Sequence, residues 1–258
     1  MILAYHSVHP SRKDALSVSP EAFEWQLDHL ARRGLRTVSL YEYLNAYTEQ
    51  GETPSNWVAI TFDDGYQDNF VYAFPLLTRF QYPATFFVPS GHMGSQDVVE
   101  PSIVKRFEAN EDHYRPLRLD QMRDLANAGM TIGSHTVNHR ILPGLPLDIA
   151  RAEIEGSKTQ LESMLDVPVD LFCYPSGRFE PSTVELVSAA KYIGAVVTPS
   201  GPGVRETRFT MKRVGIYRRD SNRMFQFKLS PMFGRMREIK GLWAAAKFGR
   251  NATRAIFK

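Results

Sequence analysis

A lone cysteine, Cys173, stands among 258 residues. No disulfide can form within the chain, so the sequence gives no sign of an oxidising compartment. Its setting, Leu171-Phe172-Cys173-Tyr174, reads as a buried strand thiol rather than a nucleophile. Long apolar runs are also missing, and crossing a bilayer takes ~20 such residues. The N-terminus, Met1-Ile2-Leu3-Ala4-Tyr5-His6, has neither the charged stretch nor the cleavage site of a signal peptide. The expected location is cytoplasmic, with any membrane contact peripheral and on the inner face. No internal repeat is visible, which leaves out solenoids and repeat arrays.

Charge of one sign is scarce overall, since the net is only +3, but it is unevenly spread. Residues 223–258 carry nine Lys or Arg against one acidic residue, Glu238. The remaining 222 residues hold 22 basic and 27 acidic groups, so a body of net −5 precedes a tail of net +8. The body has no nucleic-acid footprint. The expected organisation is one catalytic-size domain over 1–222 and a basic helical tail over 223–258. In the tail, Ile239, Leu242, Trp243 and Ala246 share one face at helical spacing. That segment suits either an anionic membrane surface or a helix closing the base of the domain.

Strand-like and helix-like segments alternate along the body, the pattern of a parallel sheet with crossover helices. Expected strands are Ile2 to Ser7, Thr37 to Leu40, Trp57 to Phe62, Ala84 to Pro89, Met130 to Ser134, Leu171 to Tyr174, Gly194 to Thr198 and Met211 to Tyr217. Expected helices are Pro20 to Arg33, Leu40 to Thr48, Asn69 to Phe80, Leu119 to Ala128, Leu147 to Leu165 and Pro181 to Lys191. Ser19 before Pro20 is a helix cap, and Gly34 follows that helix's end. The length suits one α/β barrel.

Two blocks carry chemistry. Thr61-Phe62-Asp63-Asp64-Gly65 ends one apolar run and sets two carboxylates at a strand tip. Ser134-His135-Thr136-Val137-Asn138-His139 ends another and sets two imidazoles four residues apart, which on a helical turn share one face. Either block alone has an ordinary explanation, a turn in the first case and coincidence in the second. Together, each after its own strand, they predict a metal held by two His and one Asp. Three protein ligands leave positions open for water and substrate, as in catalytic sites.

These motifs resemble those of the polysaccharide deacetylases, carbohydrate esterase family four, over roughly residues 1–218. The resemblance implies that Asp64, His135 and His139 bind one divalent ion, usually zinc, and that Asp63 is the general base. It also implies a distorted (β/α) barrel with about seven parallel strands. Phe172-Cys173-Tyr174-Pro175-Ser176-Gly177 is similar to the family's third motif, whose residue after Pro donates a backbone N–H to the oxyanion, here Ser176. The match is imperfect: the family has Arg where this chain has Cys173, and an aromatic where it has Ser176. That Arg normally fixes the base, and Arg213, on a late apolar strand, is the expected substitute partner for Asp63. The family's late acidic His is missing, since no His follows His139. Leu3-Ala4-Tyr5-His6-Ser7-Val8 instead resembles the N-terminal motif of the exopolysaccharide and poly-N-acetylglucosamine deacetylase branch, which makes His6 the expected acid.

The expected activity is therefore metal-dependent removal of N-acetyl groups from a bacterial glycan. An O-acetyl esterase, or a decayed carbohydrate-binding or membrane-docked module, are the alternatives left open. Tyr66, Phe172 and Tyr174 flank the motifs as candidates for stacking on sugars or for plain packing. Oligomeric state is not legible.

Overall fold

The computed structural model describes residues 1–93, 110–197 and 204–239. In chain order it contains β1 (Ile2–Tyr5), β2 (Ser7–Val8), β3 (Ser17–Val18), α1 (Pro20–Arg32), β4 (Arg36–Thr37), α2 (Leu40–Gln50) and β5 (Trp57–Phe62). A π-helical turn, Asn69–Ala73, runs into α3 (Phe74–Phe80), followed by β6 (Ala84–Val88), α4 (Leu119–Asn127), β7 (Thr131–Ser134) and α5 (Leu147–Leu165). Next come β8 (Leu171–Cys173), α6 (Pro181–Ala189), β9 (Gly194–Val197), β10 (Met211–Gly215), α7 (Asn222–Lys228) and α8 (Pro231–Glu238).

Seven of these strands close a barrel in the order β1-β10-β9-β8-β7-β6-β5, and β5 pairs back to β1. Every neighbouring pair is parallel. Closure rests on β1, where Ile2 is level with Ala59 on one side and Arg213 on the other. β4 stays outside the ring, paired only with Trp57 and Val58 at the start of β5. The ring is thus an eightfold barrel short of one strand.

The two-residue period of a strand decides what points inward. Ile2, Ala59, Phe87, Leu171, Val196 and Met211 form one buried cluster, drawn from six of the seven barrel strands. In β7 the inward position is Gly133, where a Cβ would lie 2.5 Å from the Phe87 ring, so glycine there makes room for phenylalanine. Leu40 and Leu44 of α2 join the same cluster and plug the base of the barrel. The alternate residues, among them Leu3, Tyr5, Ile60, Phe62, Phe86 and Val88, face outward and bury α1 and α3 through Phe23, Leu27, Leu30 and Leu77. Burying such side chains contributes ~1.5–3 kcal/mol each.

Helix starts follow sequence chemistry. The Ser19 and Ser39 hydroxyls accept from the N–H groups of Ala22 and Glu42, capping α1 and α2. Beyond β10 the chain remains packed against the barrel: Phe225 is fully buried, and the Lys228 ammonium donates to the Gly215 carbonyl at 2.7 Å and meets Asp220. Met232 and Ile239 are exposed at 58% and 51%. Leu242, Trp243 and Ala246 of the expected tail helix lie outside the described residues. No described helix is long and apolar enough to cross a membrane.

Candidate active site

Extending the inward positions by one step along each strand gives the site. From Ala4 the next inward residue is His6; from Thr61, Asp63; from Gly133, His135; from Leu171, Cys173; from Met211, Arg213. Ladder bonds hold this register past the strand ends, with Asp63 N–H on the Tyr5 carbonyl and His135 N–H on the Val88 carbonyl, both 3.0 Å. All these side chains therefore converge at the C-terminal mouth, where parallel barrels build their sites.

Strict alternation would send Asp64 outward. Its φ of 69° breaks the alternation and turns the carboxylate back towards the mouth. Gly65 follows at φ 64°, and a Cβ there would come within 2.9 Å of Val88. Left-handed backbone is costly for most residues and tolerated best by Gly, Asn and Asp, which suits Asp-Gly at this turn.

The segment from His135 to His139 corrects one expectation. The two imidazoles do not share a helical face; the chain is irregular there, with Thr136 at φ 66° and His139 at φ 54°. Two left-handed residues still bring the rings to 4.7 Å between centroids. Side chains and backbone from elsewhere impose this shape. Glu153 of α5 accepts from the N–H and the Nδ2 of Asn138, both at 2.8 Å, and its carbonyl accepts from Val137 N–H at 3.2 Å. From the other side, Ser90 and Gly91 N–H groups donate to the Thr136 and Val137 carbonyls at 3.1 and 2.8 Å.

Asp64 Oδ1 lies 3.4 Å from His135 Nε2 and 3.3 Å from His139 Nε2. These separations are long for charge-assisted hydrogen bonds, which run at ~2.7–2.9 Å. They match the edge of about 3.4 Å between ligands of a tetrahedral ion with bonds near ~2.1 Å. The ligand atoms of Asp64, His135 and His139 all fall within 4.8 Å of one another. His135 Nδ1 sits 2.7 Å from the Cys173 carbonyl, which can only accept. Its proton is thereby fixed on Nδ1, and the Nε2 lone pair faces Asp64. Two imidazoles and a carboxylate fit a divalent ion of zinc type. Burial alone would raise the Asp64 carboxyl, but His135 and His139 outweigh it and hold the group well below the usual range.

Asp63 is 1% exposed and bound by a guanidinium fork. Arg213 Nη1 donates to Oδ1 at 2.7 Å and Nη2 to Oδ2 at 2.6 Å. The same guanidinium reaches Thr61 Oγ1 at 2.9 Å and Cys173 Sγ at 3.1 Å. Burial pushes the Asp63 carboxyl up, yet Arg213 overrides it and the group stays ionised below its ordinary value. Burial raises the Cys173 thiol well above its usual value, so it remains a neutral packing group. His6 Nε2 lies 3.9 Å from Asp63 Oδ2, the oxygen that also accepts from Arg213 Nη2. Ser176 occupies the turn leaving β8 at φ 55°, with its side chain exposed. Tyr66, Phe172 and Tyr174 are fully buried and pack rather than line an open surface.

The family profile described as polysaccharide deacetylase matches residues 50–195, which includes the Asp-Asp-Gly and both His positions. The chain belongs to this family. Among the chain's relatives is Bacillus subtilis YxkH, a putative polysaccharide deacetylase, 29% identical over 205 residues, 80% of this chain and 66% of that one. A Staphylococcus aureus poly-beta-1,6-N-acetyl-D-glucosamine N-deacetylase is 32% identical over 95 residues, covering 37% of this chain and 32% of its own. The chain thus spans less than two thirds of either relative. Streptococcus pyogenes deacetylase PplD, solved in complex with acetate, superposes with a TM-score of 0.73 at 25% identity, over 89% of this chain and 97% of that one. IcaB from Ammonifex degensii gives the same score at 23% identity over the same shares, a likeness of fold.

Several residues at the site were not singled out from the sequence. Glu153 is one: a carboxylate on the buried face of α5, beside Ala150 and Ile154, is a pattern that signals a specific partner. Asp68 and Asn69, shortly after the Asp-Asp-Gly block, are others, and both are buried.

Proposed function

We propose that this protein is a metal-dependent hydrolase that removes N-acetyl groups from an N-acetylated polysaccharide or oligosaccharide of the poly-N-acetylglucosamine kind. The observation that carries the reading is the different engagement of the two adjacent carboxylates. Asp64, His135 and His139 cluster with ligand-like spacing, while Asp63, which also lies within 4.8 Å of His135, has both carboxylate oxygens engaged by Arg213. The name of the staphylococcal relative supports the choice of glycan.

In this reading Asp64, His135 and His139 hold the ion. When bound, a divalent ion there polarises the acyl oxygen and lowers the pKa of a water from ~15.7 towards ~7. Asp63 accepts the proton of the attacking water, and Arg213 keeps that carboxylate ionised and correctly turned. The N–H of Ser176 is assigned to the developing oxyanion. His6, beside Asp63, delivers a proton to the departing amine nitrogen as the C–N bond breaks.

Acetate release from chitooligosaccharides and from acetylated xylan, with and without chelator, tests this. Release from the chitooligosaccharide, lost with chelator and restored by Zn²⁺, is the expected result. Release from xylan alone identifies an O-acetyl esterase, and release from neither identifies a binding module. Of the basic tail at 223–258, residues 240–258, with five basic groups and no acidic one, are proposed to touch the inner membrane face.

A further inference from the structure

His6 lies beside Asp63, one residue past the end of the strand that carries it. β1 ends at Tyr5 and β2 begins at Ser7, so His6 sits at a break between two strands with different partners. β1 pairs with β5 and β10, whereas β2 pairs with β3. The ladder therefore changes partners at His6: the Tyr5 carbonyl still accepts from Asp63 N–H on the β5 side, whereas Ser7 pairs with Ser17 of β3.

Two residues of the loop after the Asp-Asp-Gly block span that change of partner. Asn69 Nδ2 donates to the His6 carbonyl at 2.7 Å, and Asn69 Oδ1 accepts from Val8 N–H at 3.2 Å. One side-chain amide thus satisfies a donor and an acceptor on either side of Ser7, as a neighbouring strand would. Ser7 Oγ donates to Asp68 Oδ2 at 2.5 Å. Asn69 is fully buried and opens the π-helical turn, where the Phe74 N–H donates to the Asn69 carbonyl. Such widened turns recur at functional sites.

We infer that Asn69 is a positioning residue for the proposed deacetylation, clamping the His6–Val8 backbone so that the His6 imidazole stays beside Asp63. The inference rests on His6 being the acid. It links the two halves of the proton traffic, because Asp63 and Asn69 belong to one short loop. A shift of that loop moves base and acid together and keeps their spacing.

The consequence is specific to the leaving group. Breaking the C–N bond of an acetamide requires a proton on the nitrogen, while a phenolate leaves an aryl acetate without one. Misplacing an acid by about 1 Å can cost roughly 10²-fold. Asn69→Ala is expected to lower kcat on a chitooligosaccharide roughly 10²-fold with KM little changed. The loss on 4-nitrophenyl acetate should be at least about tenfold smaller, and the zinc content per chain should match that of the unsubstituted protein. In a His6→Ala background, adding Asn69→Ala should cost less than about threefold, because residues acting as a unit are not additive.

Equal losses on both substrates, or full additivity with His6→Ala, overturn the clamp while leaving His6 in place as the acid. An unchanged amide kcat in His6→Ala alone removes the acid itself, and the clamp with it. Should Asn69→Ala fail to fold, Asn69→Asp serves the same test. It keeps an acceptor for Val8 N–H and loses the donor to the His6 carbonyl, so the same substrate ratio and additivity decide.

Discussion

Arg213 and Asp63 meet through two parallel hydrogen bonds of 2.7 and 2.6 Å, with neither side chain more than 2% exposed. The arginine comes from β10 and the aspartate from the end of β5, two strands separated by β1 in the ring. Cys173, where the family resemblance expects arginine, packs its sulfur 3.1 Å from the same guanidinium. A small neutral side chain at that position leaves room for an arginine arriving from the opposite side.

Arg213→Met should therefore leave a buried carboxylate without its partner. The expected destabilisation is ~3–5 kcal/mol, the usual cost of breaking a buried ion pair. Arg213→Lys should not restore activity, because a point charge cannot reproduce a fork. Urea unfolding and acetate release measure the two effects. A lysine variant with full turnover contradicts the geometric role.

Glu153 holds the irregular segment that carries His139 without touching the proposed ion. Glu153→Ala should weaken metal affinity roughly 10–100-fold, the usual cost of removing a ligand's supporting partner. Competition against a calibrated zinc chelator reads this directly. An affinity equal to that of the unsubstituted protein means Glu153 serves stability alone.

Asp68 offers a pH test outside the chemistry. Burial raises its carboxyl from 3.8 to about 7, with Arg12 pulling it down only in part. A raised acid favours the folded state when protonated, so its contribution is complete below 3.8 and is lost as pH rises towards 7. Asp68→Asn removes the titration and keeps an acceptor for Ser7. Between pH 4 and pH 7, the stability of the unsubstituted protein should fall relative to that of the variant. Parallel curves from denaturant titrations at each pH would rule this out.

The basic tail is tested by truncation after Ile239, since Phe225 and Lys228 belong to the packed domain. Removing residues 240–258 should lower co-sedimentation with anionic vesicles while sparing acetate release from soluble oligosaccharides. Each basic group near the surface is worth ~1 kcal/mol, and binding should weaken as salt is raised. Undiminished binding by the truncated chain refutes the membrane role for that segment.

The strands of the ring were legible because each is an apolar run ending in a turn or a polar block. Trp57–Phe62 and Leu147–Leu165 have the boundaries their patterns predict. The geometry of His135–His139 was not, since it depends on Glu153, Ser90 and Gly91 contacts formed only after folding. Spacing of four suggested a helical turn, but tertiary hydrogen bonds won. The π-helical turn at Asn69 was hidden for the same reason, because the sequence reads as one continuous helix from Asn69 to Phe80. The burial of α7 depends on Phe225 finding the Trp25 and His29 rings of α1, nearly two hundred residues earlier.

Closure through β1 also dictates an order of events during folding. Ile2 must register with both Ala59 and Arg213, so the ring cannot shut until nearly the whole chain is present. Asp63 acquires its arginine only at that moment. Contacts this distant in sequence form slowly, because loop closure must be completed before they bring any gain. A partly synthesised or partly folded chain therefore holds the proposed base without its partner, and the Asp63–Arg213 pair is completed in the last step, together with the finished barrel.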